Sequence, residues 1–384
     1  MQTYLRQPVE FVSGRGATLV DSQGREYIDM VAGIAVVGIG HAHPRVAAAI
    51  ADQAAELIHV SNLYATRPGA ELAERLYGLT GMLSFFCNSG AEAIECAIKL
   101  ARKWGRIHKP DVVPRIVCAE GGFHGRTLGA LTATGQSSKK TAFEPLPAGF
   151  MHVPFGDEAA LADAMGSDVV AVLLEPIQGE SGVIVPPATY LERARELCDR
   201  GGALLMLDEI QTGLGRTGSW FAHEHSGIAP DVMCLAKALA SGLPMGACLA
   251  REDVSSAFAV GDHGSTFGGG PVVSAAALAT LDVIEAEGLV ERAEVNGKHL
   301  IALLASEFGD DAVRGKGLLI GVGLDVPVAR DVARAALDRG VLVNDPLPDV
   351  LRFVPPLSIT EEEIERGVEV VVEAWRSTKQ GPSR

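Results

Sequence analysis

The chain's 384 residues carry 33 lysines and arginines against 48 aspartates and glutamates, a formal net charge of −15. That balance, with no basic stripe, excludes a binder of nucleic-acid phosphates, whose affinity comes from clustered Lys and Arg. Hydrophobic residues make up 47%, enough for a large core plus a smaller satellite domain, yet apolar runs such as Val169–Leu174 fall far short of the roughly 20 residues that cross a membrane. Residues 1–10 lack the basic-then-apolar layout of a secretory signal, and the six scattered cysteines form no CxxC pair. Buried thiols in a cytoplasmic protein are therefore expected.

In chain order, residues 11–30 alternate short β-type stretches around the hairpin turn Asp21-Ser22-Gln23-Gly24, so residues 1–40 are read as an N-terminal β flap. Pro44 opens a helix through Val46, Ile50 and Leu57. Strands are then predicted near 83–87, 115–119, 169–175, 203–208, 232–235 and 246–250, and helices near 91–104, 127–134, 188–200 and 272–287. Their alternation predicts a three-layer αβα large domain around a mostly parallel sheet over residues 41–288. Beyond Gly288 the order helix, strand, helix, strand, helix predicts a smaller C-terminal α+β domain over 289–384, its last helix opened by a Thr360–Glu363 capping box. The polar tail 377–384 is expected to be disordered.

Several constellations carry chemistry. Asn88-Ser89-Gly90-Ala91-Glu92 sits where a strand ends and a helix begins. Ser89 is a natural N-cap with Glu92 as its reciprocal partner; the same helix start, with small side chains at Gly90 and Ala91, also suits a phosphate. Asp208-Glu209-Ile210-Gln211 follows a central strand directly, at the crevice where open α/β sheets bind ligands. A buried Asp208 needs a cationic partner, either a structural base or a protonated heteroaromatic nitrogen. Lys237 lies in the apolar run 234–239, where it either snorkels to solvent or, desolvated, becomes a usable nucleophilic amine.

Gly213-Leu214-Gly215-Arg216-Thr217-Gly218 matches GxGxxG, but the residues after it give no helix for the motif to open, so a dinucleotide site is rejected. In the loop Gly122–Thr127, Phe123 can lie flat on a planar ligand and Arg126 can clamp a carboxylate, while His124 reads as a packing residue. His41 and His43 lack a third ligand at metal spacing, so no metal is expected. His263–Gly270 is a glycine-rich loop whose hydroxyls can complete a phosphate site across a subunit boundary.

In this order and over nearly the full length, these motifs, with Asp29–Ala35 and Gly40-His41-Ala42-His43-Pro44, resemble the class III (subgroup II) aminotransferases of pyridoxal-phosphate (PLP) fold type I, most closely their acetylornithine branch. The resemblance implies PLP (pyridoxal 5'-phosphate) held covalently on Lys237, which also shuttles the substrate's proton. It implies Asp208 at the pyridinium nitrogen, Gln211 at the phenolic oxygen, Phe123 stacked on the ring, and Ser89, Gly90 and Ala91 on the phosphate, helped by Thr266 of the partner subunit. Arg126 and Ser265 match positions that bind the acylornithine carboxylate end. Arg352 matches the arginine that takes the α-carboxylate of glutamate or 2-oxoglutarate, and Glu180 the glutamate that masks it when an ω-amine reacts. A homodimer with shared active sites follows from the same resemblance. The sequence departs from the family pattern at Ser181, Gly270 and Val37, positions that bear on substrate fit.

The implied reaction converts N2-acetyl-L-ornithine and 2-oxoglutarate to N-acetyl-L-glutamate 5-semialdehyde and L-glutamate, in arginine biosynthesis. The same machinery serves succinylornithine, ornithine, 4-aminobutyrate or a carrier-linked aminoadipate semialdehyde. An intramolecular glutamate-1-semialdehyde aminomutase needs no external 2-oxoglutarate, and a non-catalytic scaffold is expected to lack Lys237 or Asp208.

Overall fold

The computed structural model describes residues 1–379. At its centre is a seven-stranded sheet in the order Leu83–Cys87, Gly246–Ala250, Val232–Leu235, Leu204–Asp208, Val169–Leu174, Arg115–Ala119 and Phe150–Val153. Neighbouring strands are parallel, except that Gly246–Ala250 runs antiparallel to both strands beside it. Val169–Leu174 and Leu204–Asp208 are buried at every position because both of their faces are covered. Leu204 and Met206 join a core with helix Gly90–His108, while Leu205 and Leu207 join the opposite core with helix Tyr190–Gly201. Two-sided burial is why these strands read as continuous apolar runs rather than as alternation.

The predicted strands and the later helices fall within a few residues of those observed. The edge strand Phe150–Val153 and the helices Arg67–Thr80 and Glu158–Ala164 are additional. Phe150–Val153 has one neighbour and a half-exposed face, so its four residues carry no long apolar run. All six cysteines are buried, with their thiols unpaired. Among the described residues no helix is long and apolar enough to cross a membrane.

The hairpin forms as expected: Asp21 Oδ1 accepts from the N–H groups of Gln23 and Arg25, each at 2.9 Å. The flap is completed from far along the chain, because Glu26–Asp29 pairs in parallel with Val341–Leu342. A third sheet orders Val313–Lys316, Leu319–Gly323, Val350–Phe353 and Asn344–Leu347, and its register sets Asn344 opposite Arg352. Thr360 and Glu363 cap the last helix reciprocally, with Glu363 N–H donating to Thr360 Oγ1 at 3.2 Å and Thr360 N–H to Glu363 Oε2 at 2.9 Å. That helix runs Glu361–Lys379, so residues 377–379 are helical rather than disordered, the apolar stripe ending in Val371, Val372 and Ala374 holding the helix onto the core. The rest of the expected tail, 380–384, lies outside the described residues.

Candidate active site

The parallel strands deliver their C-terminal ends to one side of the sheet, where a cavity of about 440 Å³ opens. Ser89, Gly90, Ala91, Phe123, Asp208, Gln211 and Lys237 line it together with Arg126 and Glu180. Lys237 follows the strand Val232–Leu235 at φ +37°, in the left-handed region a side chain seldom adopts. Such a residue stores of order 1–3 kcal/mol of strain, held by the buried turn around it. Burial of the Lys237 amine pushes its pKa down to about 8; the negative charge of Glu180 opposes that shift and the positive charge of Arg352 adds to it. The snorkelling alternative therefore fails, since the amine faces the cavity.

Asp208 ends the strand Leu204–Asp208 and is 4% exposed. Its Oδ1 accepts from Ile210 N–H at 3.1 Å, and its Oδ2 faces His124 Nδ1 at 2.8 Å. His124 is thus more than a packing residue. Burial works against its charged form, but the hydrogen bond and charge of Asp208, aided by Glu175, outweigh burial and raise its pKa. The pKa of Glu175, beside them, is raised too, to about 7, chiefly by its own burial, which favours the neutral carboxyl. Its two oxygens accept from the N–H groups of Phe123 at 2.9 Å and Gly179 at 3.4 Å, tying the aromatic loop to the Gly179-Glu180 turn.

Ser89 caps helix Gly90–His108 as expected, its Oγ accepting from Glu92 N–H at 3.2 Å. The reciprocal half differs: Glu92 Oε2 takes the N–H of Asn88 at 2.5 Å, not that of Ser89. Gly90 and Ala91 line the cavity in the first turn, whose N–H groups have no partner within the helix, and there the dipole of a 19-residue helix favours an anion. At the other end Arg352, 1% exposed, stands behind Glu180, with Nη1 donating to Glu180 Oε1 at 2.6 Å and to Gly179 O at 2.9 Å. Burial pushes the Glu180 carboxyl upward, but the charges of Arg352 and Lys237 together with the Arg352 hydrogen bond outweigh it and keep the group below its usual range. Gln211 also reaches Arg352, its Oε1 lying 3.3 Å from Nη1. A side chain at Gly179 would displace that amide.

Ser265 and Thr266 do not join this cavity within one chain. Ser265 Oγ accepts from Asn88 Nδ2 at 3.3 Å and from Gly268 N–H at 3.0 Å, and Thr266 lines a separate small cleft beside His59 and Asn62. His41 is engaged as well, its Nε2 lying 2.7 Å from Asp29 Oδ2. Asp29 Oδ1 accepts from Val31 and Ala32 N–H, at 2.8 and 2.9 Å. These contacts hold a left-handed turn in which Ala32, Gly33, Ile34 and Ala35 have φ of 50°, 63°, 67° and 60° and which presents Val36 to the cavity.

The sequence profile of the family described as Aminotransferase class-III matches residues 2–375. The chain belongs to that family. Acetylornithine aminotransferase of Mycolicibacterium smegmatis is 54% identical over 370 residues, covering 95% of this chain and 93% of that protein. Among solved structures, N-acetylornithine aminotransferase of Stenotrophomonas maltophilia superposes with a TM-score of 0.86 at 39% identity over 98% of each chain. Ornithine aminotransferase of Toxoplasma gondii, reported with partial occupancy of PLP at its active site, superposes with a TM-score of 0.95 at 35% identity, covering 100% of this chain and 93% of that one.

Class-III aminotransferases depend on PLP, and the residues of this aminotransferase fit it. A helix start offers N–H donors for a phosphate, a buried carboxylate suits a protonated ring nitrogen, and a desolvated amine suits a carbonyl carbon. Four residues of the aminotransferase site escape sequence reasoning: His124 and Glu175 around Asp208, Asn344 against Arg352, and Lys139, whose Nζ lies 4.8 Å from the Phe123 ring centroid. Only His124 carries a local signal, its place beside Phe123; Asn344 is eight positions from Arg352 but meets it only through strand register, and Glu175 and Lys139 need the fold to bring them near.

Proposed function

We propose that this aminotransferase moves the δ-amino group of N2-acetyl-L-ornithine to 2-oxoglutarate, giving N-acetyl-L-glutamate 5-semialdehyde and L-glutamate in arginine biosynthesis. The observation that carries the reading is the Glu180–Arg352 pair beside a cavity whose exposed end holds Arg126. A substrate whose amine and carboxylate lie far apart can reach Lys237 while Arg126 takes its carboxylate and Glu180 keeps Arg352 neutral. 2-Oxoglutarate, with carboxylates at both ends, needs Arg352 uncovered, and a movable carboxylate provides that change. The 54% identity with the M. smegmatis acetylornithine aminotransferase supports the same substrate.

PLP, when bound, supplies an electron sink for the charge left on the amine-bearing carbon. Lys237 Nζ takes the proton from that carbon and returns it, a role suited to an amine whose pKa burial has lowered to about 8. Asp208 would hold negative charge at the ring nitrogen, and His124 fixes the carboxylate's orientation. Gly90 and Ala91 N–H would hold the phosphate with Ser89, Gln211 would meet the phenolic oxygen, and Phe123 would cover the ring.

A homodimer is part of the proposal, supported by Thr266 lying outside its own chain's cavity. So is a division into residues 1–40, 41–288 and 289–384, supported by the break at Gly288, φ +57°, before helix Leu289–Phe308. The absence of a spanning helix among the described residues is compatible with a cytoplasmic place. Ornithine is the second reading, favoured by the TM-score of 0.95 to the T. gondii ornithine aminotransferase. Purified enzyme with PLP and a panel of ω-amines decides: glutamate formation from N2-acetyl-L-ornithine should exceed that from ornithine by at least about tenfold in kcat/KM and require 2-oxoglutarate. A protein that forms a Lys237 adduct yet makes no glutamate from any ω-amine overturns the assignment.

A further inference from the structure

The guanidinium of Arg352 is held on two sides by groups of different charge. Asn344 Oδ1 accepts from Nε at 2.9 Å and from Nη2 at 2.6 Å. Nη1 donates to Gly179 O, Glu180 Oε1 and Gln211 Oε1, at 2.9, 2.6 and 3.3 Å. Nε and Nη2 form the side-on edge, one of the two edges on which an arginine grips a carboxylate with two parallel bonds. Asn344 closes that edge. Because both Arg352 atoms are donors, the oxygen rather than the nitrogen of the amide must face them. The contact is built by sheet register, since Asn344 pairs directly with Arg352 across antiparallel strands.

We infer that Asn344 is a specificity-determining positioning residue. By closing the side-on edge with a neutral acceptor it leaves the Nη1–Nη2 end as the place for a substrate carboxylate, the end that Glu180 covers. Mask and substrate then compete for one edge, which is what lets a single movable carboxylate switch the site. A carboxylate at position 344 would hold the side-on edge as tightly and neutralise Arg352 whether or not Glu180 moves. The inference rests on the reading of Arg352 as the α-carboxylate residue.

The test compares holoenzyme carrying Asn344→Asp, Asn344→Ala or Arg352→Ala at equal PLP occupancy. Calorimetric titration with glutarate, an unreactive dicarboxylate, is paired with KM and kcat for 2-oxoglutarate. Asn344→Asp should weaken glutarate and raise the KM for 2-oxoglutarate by about 100-fold, with kcat changed far less, because a charge-assisted pairing is lost. Asn344→Ala keeps the arginine's charge and should cost about tenfold or less. Equal losses in the two Asn344 variants would show a packing role and overturn the inference, as would undiminished glutarate binding by Asn344→Asp where Arg352→Ala abolishes it. Glutarate binding unaffected by Arg352→Ala overturns the reading of Arg352, and the inference with it.

Discussion

Lys237 brings together a strained backbone, φ +37°, and an amine whose pKa is near 8 rather than 10.5. In the protein without PLP this amine is free to titrate, and the sign of its effect on stability follows. Below about pH 8 folded and unfolded chains both carry the proton, and the penalty for burying the charge is fully present. Between about pH 8 and 10.5 the unfolded chain binds more protons, so stability rises with pH across that window. Chemical denaturation of the PLP-free protein and of Lys237→Met should diverge there, the wild type gaining; parallel pH profiles would show that the amine is not desolvated. Lys237, Asp208 and Ser89 were legible in the sequence because each residue type stands at the end of an apolar strand. His124 was misjudged because its partner, Asp208, is 84 positions away. Asn344 gave no sign at all, since its role depends on which strand it faces.

At the scale of elements, the phosphate-side helix is set by its cap and by the strand beneath it. Gly246 opens the strand Gly246–Ala250, and a side chain there would run into the backbone carbonyl of Ser89. A close approach of backbone to backbone cannot be relieved by a rotamer change, so the turn that begins the helix must shift. Gly246→Ala is expected to destabilise the fold by about 1–3 kcal/mol and to weaken PLP binding, because the Gly90 and Ala91 N–H groups move with Ser89. Thermal unfolding and a PLP absorbance titration measure the two effects; lost stability with undiminished PLP affinity would separate this contact from the phosphate site. The helix itself was readable from Ser89 and its apolar stripe, whereas its strand support was not, because Gly246 lies 157 residues beyond Ser89 in the sequence.

At the scale of the molecule, a chain of net charge −15 gathers Arg126, Lys237 and Arg352 in or beside one cavity with Glu175, Glu180 and Asp208, so the cations that can meet an anionic substrate stand among carboxyl groups rather than making a general positive field. Arg216, in the Gly213–Gly218 loop, is 3% exposed and donates to Leu318 O at 3.0 Å and Pro355 O at 2.5 Å. It thereby ties this loop to the segment that carries Arg352. Arg216→Ala leaves two carbonyls unpaired and a cavity, an expected cost of about 3 kcal/mol, and should raise the KM for 2-oxoglutarate more than that for the amine. Denaturation midpoints and the two KM values check it; a KM ratio unchanged despite lost stability would confine Arg216 to a structural role. By itself the sequence determined the layered α/β architecture and the helix caps, since these follow from local periodicity and residue type, while the roles of Ser89, Asp208 and Lys237 toward PLP were what the family resemblance implied. Only the tertiary structure decided that His124 holds Asp208 and that Asn344 closes the side-on edge of Arg352; the cover of Glu180 over Arg352 and the place of Thr266 outside its own cavity were already implied by the family resemblance. The contact of His124 with Asp208 joins segments 84 positions apart and that of Asn344 with Arg352 joins neighbouring strands eight positions apart, and both are fixed by strand order and register rather than by any local pattern.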